Sequence, residues 1–208
     1  MGLIEPSFYA RDALEVAWDL LGCRLKHEGV EILITEVEAY RKEGDSANHC
    51  RSGRTRRNAP MWGPPGRAYI YLCYGIHLML NLVTDQDGEG AAVLIRAGQV
   101  GGGLDIIRSR RGAKEGPVLL TGPGKVAQAL GLDLGMNESE LFVPGGLELH
   151  QGRRPQGVLA GPRIGIGYAQ PEHVLAPWRL AAAGTGWVSH PAPLEQVTSR
   201  AHYFSMWS

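Results

Sequence analysis

The sequence ITEVEAY at residues 34–40, followed after a loop by RAYIYLCYGIHLMLN at residues 67–81, decides how this chain folds. In both stretches, polar or aromatic side chains mostly alternate with aliphatic ones, which is typical of β-strands. The first stretch ends a strand predicted over residues 30–40, and the second contains two strands that meet at Gly75. We therefore expect a strand followed by a β-hairpin, with Tyr74 exposed at the hairpin tip beside a glycine that can adopt a positive φ.

The same period of two assigns side chains to the faces of the first strand. On one face it places Ile32, Ile34, Glu36, Glu38 and Tyr40. This predicted face changes from apolar to acidic toward the end of the strand. We therefore expect the Glu38 carboxylate and the Tyr40 ring to point to the same side.

Patterns in the rest of the chain predict an α+β fold. The predicted helices cover residues 11–21, 104–111 and 122–130, and further strands or strand-like pieces cover 23–27, 91–97, 147–151, 163–168 and 177–183. We expect one mixed domain over residues 1–208, with a largely antiparallel sheet, a protruding aromatic hairpin and surrounding helices. Residues after about 191 are predicted to form a loosely attached C-terminal tail.

Composition limits the class of protein. The hydrophobic content of 44% and the charged content of 20% are typical of a folded soluble protein. We expect a cytoplasmic protein without a membrane partner, because no apolar run approaches about 20 residues and the start lacks a signal-peptide core. The three cysteines are far apart in sequence, which argues against a disulfide framework or a zinc site.

Charge and aromatic residues are concentrated in one part of the chain. Residues 50–84 contain five arginines and no acidic residue, although the whole chain has 21 basic and 21 acidic residues. Tyr40 precedes this segment, and Tyr69, Tyr71 and Tyr74 lie within it, after the arginine-rich loop. Flat rings beside a basic patch are what a protein needs to hold a nucleobase on a phosphate backbone. The segment therefore predicts a nucleic-acid surface.

Two glutamates on one strand face also allow a second interpretation. Glu36 and Glu38, with His49, could form a metal site of a nuclease. We do not favour this interpretation, because metal nucleases gather acids from several elements and this neighbourhood supplies few others. We predict no metal and no cofactor.

At this point the motifs carry a resemblance to a known family. ITEVEAY, His49, MWGPPGRAYIYLCYGIHLMLN and AAVLIRA, followed by GPGKVAQAL, RIGIGYA and GWVSH, resemble the alkyladenine (3-methyladenine) DNA glycosylase family. The resemblance extends from about residue 7 to about residue 190. It implies a monomer that rotates a damaged purine out of double-stranded DNA and hydrolyses its bond to deoxyribose, as the first step of base excision repair.

The resemblance also implies catalytic roles. Glu38 matches the general base that activates the attacking water, and Arg96 matches an arginine close to that carboxylate and water. A cation there would help to keep Glu38 ionised. The candidate phosphate-binding residues are Arg51, Arg54, Arg57 and Lys125.

Further matches concern the flipped base. Tyr40, His49 and Tyr71 match the side chains that sandwich it. Asn81 matches the residue that crowds the exocyclic amino group of guanine and so discriminates against a normal base. Tyr74 matches the wedge that enters the minor groove, which agrees with its predicted place at the hairpin tip.

The reaction type and the lesion range are narrower questions. A lyase reaction requires a lysine in the site, and the sequence has none between Lys42 and Lys114. We therefore predict a monofunctional hydrolase. The resemblance implies that it releases 3-methyladenine and 7-methylguanine, and it leaves hypoxanthine and ethenoadenine open. Hypoxanthine and ethenoadenine are neutral and would need an acid that the sequence does not identify. The alternatives are a non-catalytic nucleic-acid-binding module of the same fold and the metal-dependent nuclease.

Overall fold

The computed structural model describes residues 2–42, 44–190 and 193–207. These residues form one mixed domain built on an antiparallel sheet, which confirms the predicted fold class. The helices are α1 (Ala13–Leu20), α2 (Leu104–Arg111), α3 (Pro123–Leu130), α4 (Pro171–Leu175) and α5 (Arg200–Ser205). The strands are β1 (Arg24–His27), β2 (Val30–Tyr40), β3 (Ala68–Cys73), β4 (His77–Val83), β5 (Ala92–Gly102), β6 (Glu148–His150), β7 (Val158–Gly161), β8 (Arg179–Ala182) and β9 (Glu195–Gln196).

Strand β2 lies at the centre of the sheet. The strand order is β3-β4-β5-β2-β8-β7-β9, and β1 joins β2 to β6. β5 pairs along most of β2, and β8 pairs with its second half at Glu36, Val37 and Glu38. Both edges of this half are therefore occupied, and the two glutamates are held in the interior of the molecule.

A β-bulge changes the face on which the glutamates lie. A register shift against β5 leaves Thr35 as an extra residue in β2, and such an insertion interrupts the alternation of side chains. Ile32 and Ile34 belong to the main hydrophobic core together with Val37. Glu36 instead lies on the polar side with the site residues. The predicted single face from Ile32 to Tyr40 is therefore wrong for its two isoleucines.

Helices α1 and α3 cover the apolar face of the sheet. Asp12 caps α1 by accepting a hydrogen bond from Leu14 N at 2.8 Å, which satisfies a free backbone donor. Leu14 and Val126 of the two helices are buried in the main core. Among the described residues, no helix has the length and apolar character needed to cross a membrane.

The aromatic hairpin forms as the alternation predicts. β3 and β4 pair from Ala68 opposite Leu82 to Cys73 opposite His77. The tip carries Tyr74, which has a φ of 50° and is 89% exposed. Gly75 follows with a φ of 70°. The predicted exposure of Tyr74 at the tip is confirmed.

Two predictions near the C-terminus are wrong. Residues 163–168 are irregular and contain no strand, because they form a wall over the central sheet instead of pairing with it. Residues 193–207 are packed and not loosely attached: β9 pairs with β7, and the α5 side chain of Tyr203 is only 1% exposed. Pro191, Ala192 and Ser208 lie outside the described residues.

Candidate active site

Cross-strand pairing places two of the predicted site residues, Asn81 and Glu38, in one row across the sheet. Tyr69 of β3 lies opposite Asn81 of β4, which lies opposite Leu94 of β5, which lies opposite Glu38 of β2. Directly opposed residues project to the same side of a sheet. Residues that are distant in sequence therefore form one continuous row.

A cavity of about 390 Å³ opens over this row. A larger cavity of about 590 Å³ lies beside the loop around Cys50 and Trp62, but none of the residues predicted for catalysis or base binding lines it. We therefore take the smaller cavity as the candidate site. Its lining includes Tyr40, His49, Tyr71, Tyr74, Asn81 and Arg96.

Glu38 is not among the residues that line the cavity, but its three partners Tyr40, Arg96 and Ile164 all line it. The Glu38 side chain has no exposed surface. One carboxylate oxygen accepts a hydrogen bond from Ile164 N at 2.7 Å and lies 3.1 Å from Arg96 Nη1. The other oxygen accepts a hydrogen bond from the Tyr40 hydroxyl at 2.9 Å. Three donors therefore fix a carboxylate whose neighbours Tyr40 and Arg96 both line the cavity.

Glu36 has a different environment, although it is also completely buried. Its carboxylate binds Arg96 Nε at 3.2 Å, Arg179 Nη1 at 3.1 Å and the Ser189 hydroxyl at 2.9 Å, and it also accepts from Ser189 N. Two guanidinium groups at these distances repel a metal cation. Among the described residues, no group of three or more His, Cys, Asp or Glu side chains is placed to hold a metal ion. The geometry therefore does not favour the nuclease interpretation.

Arg96 connects the two glutamates. It is the extra residue of β5 at a second register shift, between Ile95 and Ala97, which pair with Val37 and Glu36. Burial lowers the pKa of Arg96, but the charges of Glu38 and Glu36 outweigh it, and the pKa is raised above its ordinary value. The guanidinium is therefore a permanent cation at the floor of the cavity.

Aromatic side chains form one wall. The His49 ring lies edge-on to Tyr71 with centroids 4.8 Å apart, and Tyr71 stacks on Tyr69 at 5.4 Å. His49 Nδ1 lies 3.1 Å from the Tyr69 hydroxyl. Burial lowers the pKa of His49, and the positive charges of Arg57 and Arg51 lower it further. The imidazole is therefore neutral at neutral pH.

Tyr40 is held from behind by a second buried arginine. The Arg163 guanidinium carbon lies 4.8 Å from the centroid of the Tyr40 ring. Two hydrogen bonds, of 2.6 and 2.8 Å, join Arg163 to the Asp45 carboxylate. Burial raises the pKa of Tyr40 well above its ordinary value, and the charge of Glu38 adds to this effect. The hydroxyl therefore remains a donor to Glu38.

Asn81 of β4 also lines the cavity. It is 4% exposed, and its Nδ2 donates to the backbone oxygen of Tyr69 at 3.1 Å. This hydrogen bond to the paired strand fixes the plane of the amide. A rigid side chain in the cavity lining can exclude a base substituent by its position.

Of the candidate phosphate-binding residues, Arg57 lines the cavity, and Arg51 lies 5.1 Å from the ring centroid of Tyr168, which also lines it. Arg51, Arg54 and Arg57 are exposed in the long loop, and Arg57 also stands 5.5 Å from the centroid of the Tyr71 ring. Arg67, which adds to the basic charge of the sequence, is paired with Glu140 at 3.0 Å. Lys125 belongs to α3, whose first residue lines the cavity. Burial, followed by the charges of Arg111 and Lys114, lowers the pKa of Lys125.

Sequence reasoning missed four residues that shape this site. They are Arg163, Ile164, Arg179 and Ser189. The sequence could have indicated Arg179, because an arginine within the apolar run LAPWRLAAA requires a buried acidic partner. The sequence gives no comparable indication for Ser189 or for the backbone of Ile164. Both act through contacts with residues of β2 that are distant from them in sequence.

Comparison with known proteins agrees with this geometry. The family profile described as methylpurine-DNA glycosylase matches residues 7–186. The chain is 60% identical over 193 residues to a Nitrosococcus oceani protein that is provisionally named a 3-methyladenine DNA glycosylase, covering 93% of this chain and 96% of that protein. It is 53% identical over 193 residues to an Arabidopsis thaliana protein named DNA-3-methyladenine glycosylase, covering 92% of this chain and 76% of the relative. With a profile match over most of its length and relatives at this identity, the chain belongs to the methylpurine-DNA glycosylase family.

Proposed function

We propose that this DNA glycosylase extracts alkylated purines from double-stranded DNA and hydrolyses their N-glycosidic bond with water activated by Glu38. The observation that carries the proposal is the environment of Glu38, whose carboxylate is held by Arg96 and Tyr40, two residues that line a cavity walled by aromatic rings. One chain supplies all these residues, so a monomer is sufficient.

Binding begins at the basic loop and the hairpin tip. Arg51, Arg54 and Arg57 bind backbone phosphates, and Lys125 binds a phosphate on the α3 side. Tyr74 enters the minor groove and fills the space that the purine leaves, since an apolar wedge compensates for lost stacking. Its exposed position at the hairpin tip supports this role.

The cavity then receives the purine. Tyr40, His49 and Tyr71 sandwich the base, and stacking on aromatic rings contributes about 1–3 kcal/mol. Extrusion costs a few kcal/mol and costs less for a damaged pair. The two contributions nearly balance, so small differences decide which bases remain in the cavity. Asn81 crowds the exocyclic amino group of guanine and so weakens the binding of guanine and of 7-methylguanine alike. Of these two bases, only 7-methylguanine carries the positive charge that makes it a good leaving group, so unmodified guanine stays attached to its sugar.

Bond cleavage depends on the carboxylate. As the base leaves, positive charge develops on the deoxyribose, and the negative charge of Glu38 stabilises it. Glu38 then accepts a proton from the water that attacks the anomeric carbon. Arg96 orients Glu38 through the 3.1 Å contact and, since Glu36 neutralises part of its charge, does not cancel the negative charge that the reaction needs.

The lining residues favour cationic lesions. His49 is neutral at neutral pH, and burial raises the pKa of Tyr69 and of Tyr71 above the ordinary value, so these groups are poor proton donors to a leaving base. 3-Methyladenine and 7-methylguanine already carry positive charge and leave without protonation. We therefore expect hypoxanthine and ethenoadenine to be released more slowly.

The test is to incubate the purified protein with methylated DNA in EDTA and to identify any free base by chromatography. The proposal predicts release of 3-methyladenine and 7-methylguanine. No lysine is present among the described residues that line the cavity, so borohydride is expected to trap no covalent protein–DNA adduct. Absence of free base, or a trapped adduct, would contradict the proposed hydrolysis.

A further inference from the structure

The C-terminal segment packs behind the site, although it lies beyond residues 7–186 that match the family profile. Strand β9 extends the sheet by pairing with β7. Arg200 Nη1 lies 2.9 Å from the Asp19 carboxylate of α1. In α5, Tyr203 is almost completely buried. Residues 193–207 are therefore an integral part of the fold, and the question is what they support.

The C-terminal segment contacts the site side of the molecule at Trp178 and its neighbours. The Trp207 ring meets the Trp178 ring edge-on at 86°, with centroids 6.2 Å apart. The Tyr203 hydroxyl donates to Pro177 O at 2.7 Å. Arg41 donates to Trp207 O at 2.8 Å and also lies over the Trp178 ring at 5.5 Å. The end of the chain is thus fixed against the residue that precedes β8.

Trp178 in turn contacts the arginine behind Tyr40. The Arg163 guanidinium carbon lies 4.9 Å from the Trp178 ring centroid and 4.8 Å from the Tyr40 ring centroid. A guanidinium over an aromatic face is an attractive, oriented contact. Both carboxylate oxygens of Asp45 accept hydrogen bonds from Arg163. The guanidinium is therefore held in one orientation between the Trp178 ring and the Tyr40 ring.

We propose that Trp207 is a positioning residue, which orients the Tyr40 ring through Trp178 and Arg163. Tyr40 donates to Glu38, and Ile164, next to Arg163, donates to the same carboxylate. Loss of Trp207 therefore loosens the base-stacking ring and the support of the catalytic carboxylate together. The consequence for base release rests on the proposed function, whereas the consequence for the Tyr40 ring does not.

The first measurement is single-turnover release of 7-methylguanine by Trp207→Ala. Small displacements in a site can reduce rates up to 100-fold, so we expect a reduction of roughly tenfold. Affinity for undamaged double-stranded DNA stays within about twofold, because the arginines of the loop are untouched. Met206→Ala, at an exposed neighbouring position, is the matched control and keeps the normal rate. Trp207→Phe keeps an aromatic edge and restores most of the rate.

The second measurement does not depend on activity. NMR spectra of protein with ¹³C-labelled tyrosine rings, assigned with Tyr40→Phe, report the surroundings of the Tyr40 ring. The proposal predicts that Trp207→Ala shifts or broadens the Tyr40 signals, whereas Met206→Ala leaves them unchanged. If Trp207→Ala does not fold, Trp207→Leu takes its place.

The outcomes separate the two claims. Unchanged Tyr40 signals in a folded Trp207 variant would overturn the positioning role, as would a rate loss that equals the loss of folded protein at the assay temperature. A wild-type protein that releases no base would overturn the proposed function, and the NMR comparison would still decide the role of Trp207.

Discussion

Replacing Glu36 by glutamine tests whether the two buried arginines depend on this carboxylate. Glu36 is completely buried and is held by Arg96 at 3.2 Å and Arg179 at 3.1 Å. Glutamine keeps the shape but loses the charge, and its amide NH₂ faces groups that are donors. Breaking a buried ion pair on one side costs about 3–5 kcal/mol, because a charge remains uncompensated. That is a large part of the roughly 5–15 kcal/mol that stabilises a typical domain.

Urea unfolding monitored by tryptophan fluorescence measures this cost. With a urea dependence of about 2 kcal/mol per molar, the midpoint should fall by roughly 2 M. Glu31→Gln is a matched control on the same strand. Glu31 pairs with Arg24 and Lys26 but is 23% exposed, so its loss should cost less than about 1 kcal/mol. Equal and small effects of the two substitutions would refute the claim that Glu36 anchors the buried arginines.

Three further predictions follow from single side chains. Tyr74→Ala should change the free energy of unfolding by less than about 0.5 kcal/mol, because the ring is exposed. It should nevertheless slow excision from double-stranded DNA roughly tenfold, and a normal rate would show that Tyr74 does not act as the wedge. Arg54→Ala should reduce the slope of log affinity against log salt by about 0.9, the value for one phosphate contact, and an unchanged slope would remove Arg54 from the DNA surface. Burial, with the charge of Asp12, raises the pKa of Asp85 from 3.8 to about 6. The folded state therefore holds a proton that the unfolded state releases, and the free energy of unfolding decreases as the pH rises from about 4 to about 6. Asp85→Asn should therefore stabilise the protein at pH 8 by at most about 3 kcal/mol and give no gain near pH 3, and a loss of stability at pH 8 in urea unfolding would contradict this.

The hairpin could be predicted from sequence because its determinants are local. The alternation over β3 and β4 is uninterrupted, and Gly75 marks the turn. The bulge at Thr35 could not be predicted in this way. It depends on the register of β5 and on a hydrogen bond from the Thr35 hydroxyl to Trp187 O, both of which involve residues that are distant in sequence.

The candidate site, like the fold, was predictable where its residues are close together in sequence. Glu38 and Tyr40 share a face because of local strand geometry. The resemblance to a family identified Arg96 and the base-binding residues, and the local concentration of arginines identified the candidate phosphate contacts of the loop. Arg163 escaped notice because its partners, Asp45 and Trp178, come from separate segments. The packing of α5 was also missed because it depends on residues that are distant in sequence. A helix this short is stable only when it packs against the rest of the molecule, and Tyr203 of α5 is buried in the main core.

The most direct test of the proposed mechanism is Glu38→Gln, with base release and binding measured on the same preparation. Single-turnover release of 7-methylguanine should fall by at least about 100-fold, since the variant has neither the general base nor its negative charge. Affinity for DNA that contains the lesion should remain, because the aromatic wall and the arginines are unchanged. Release at the wild-type rate by the folded variant would contradict the account and would leave a non-catalytic role for Glu38.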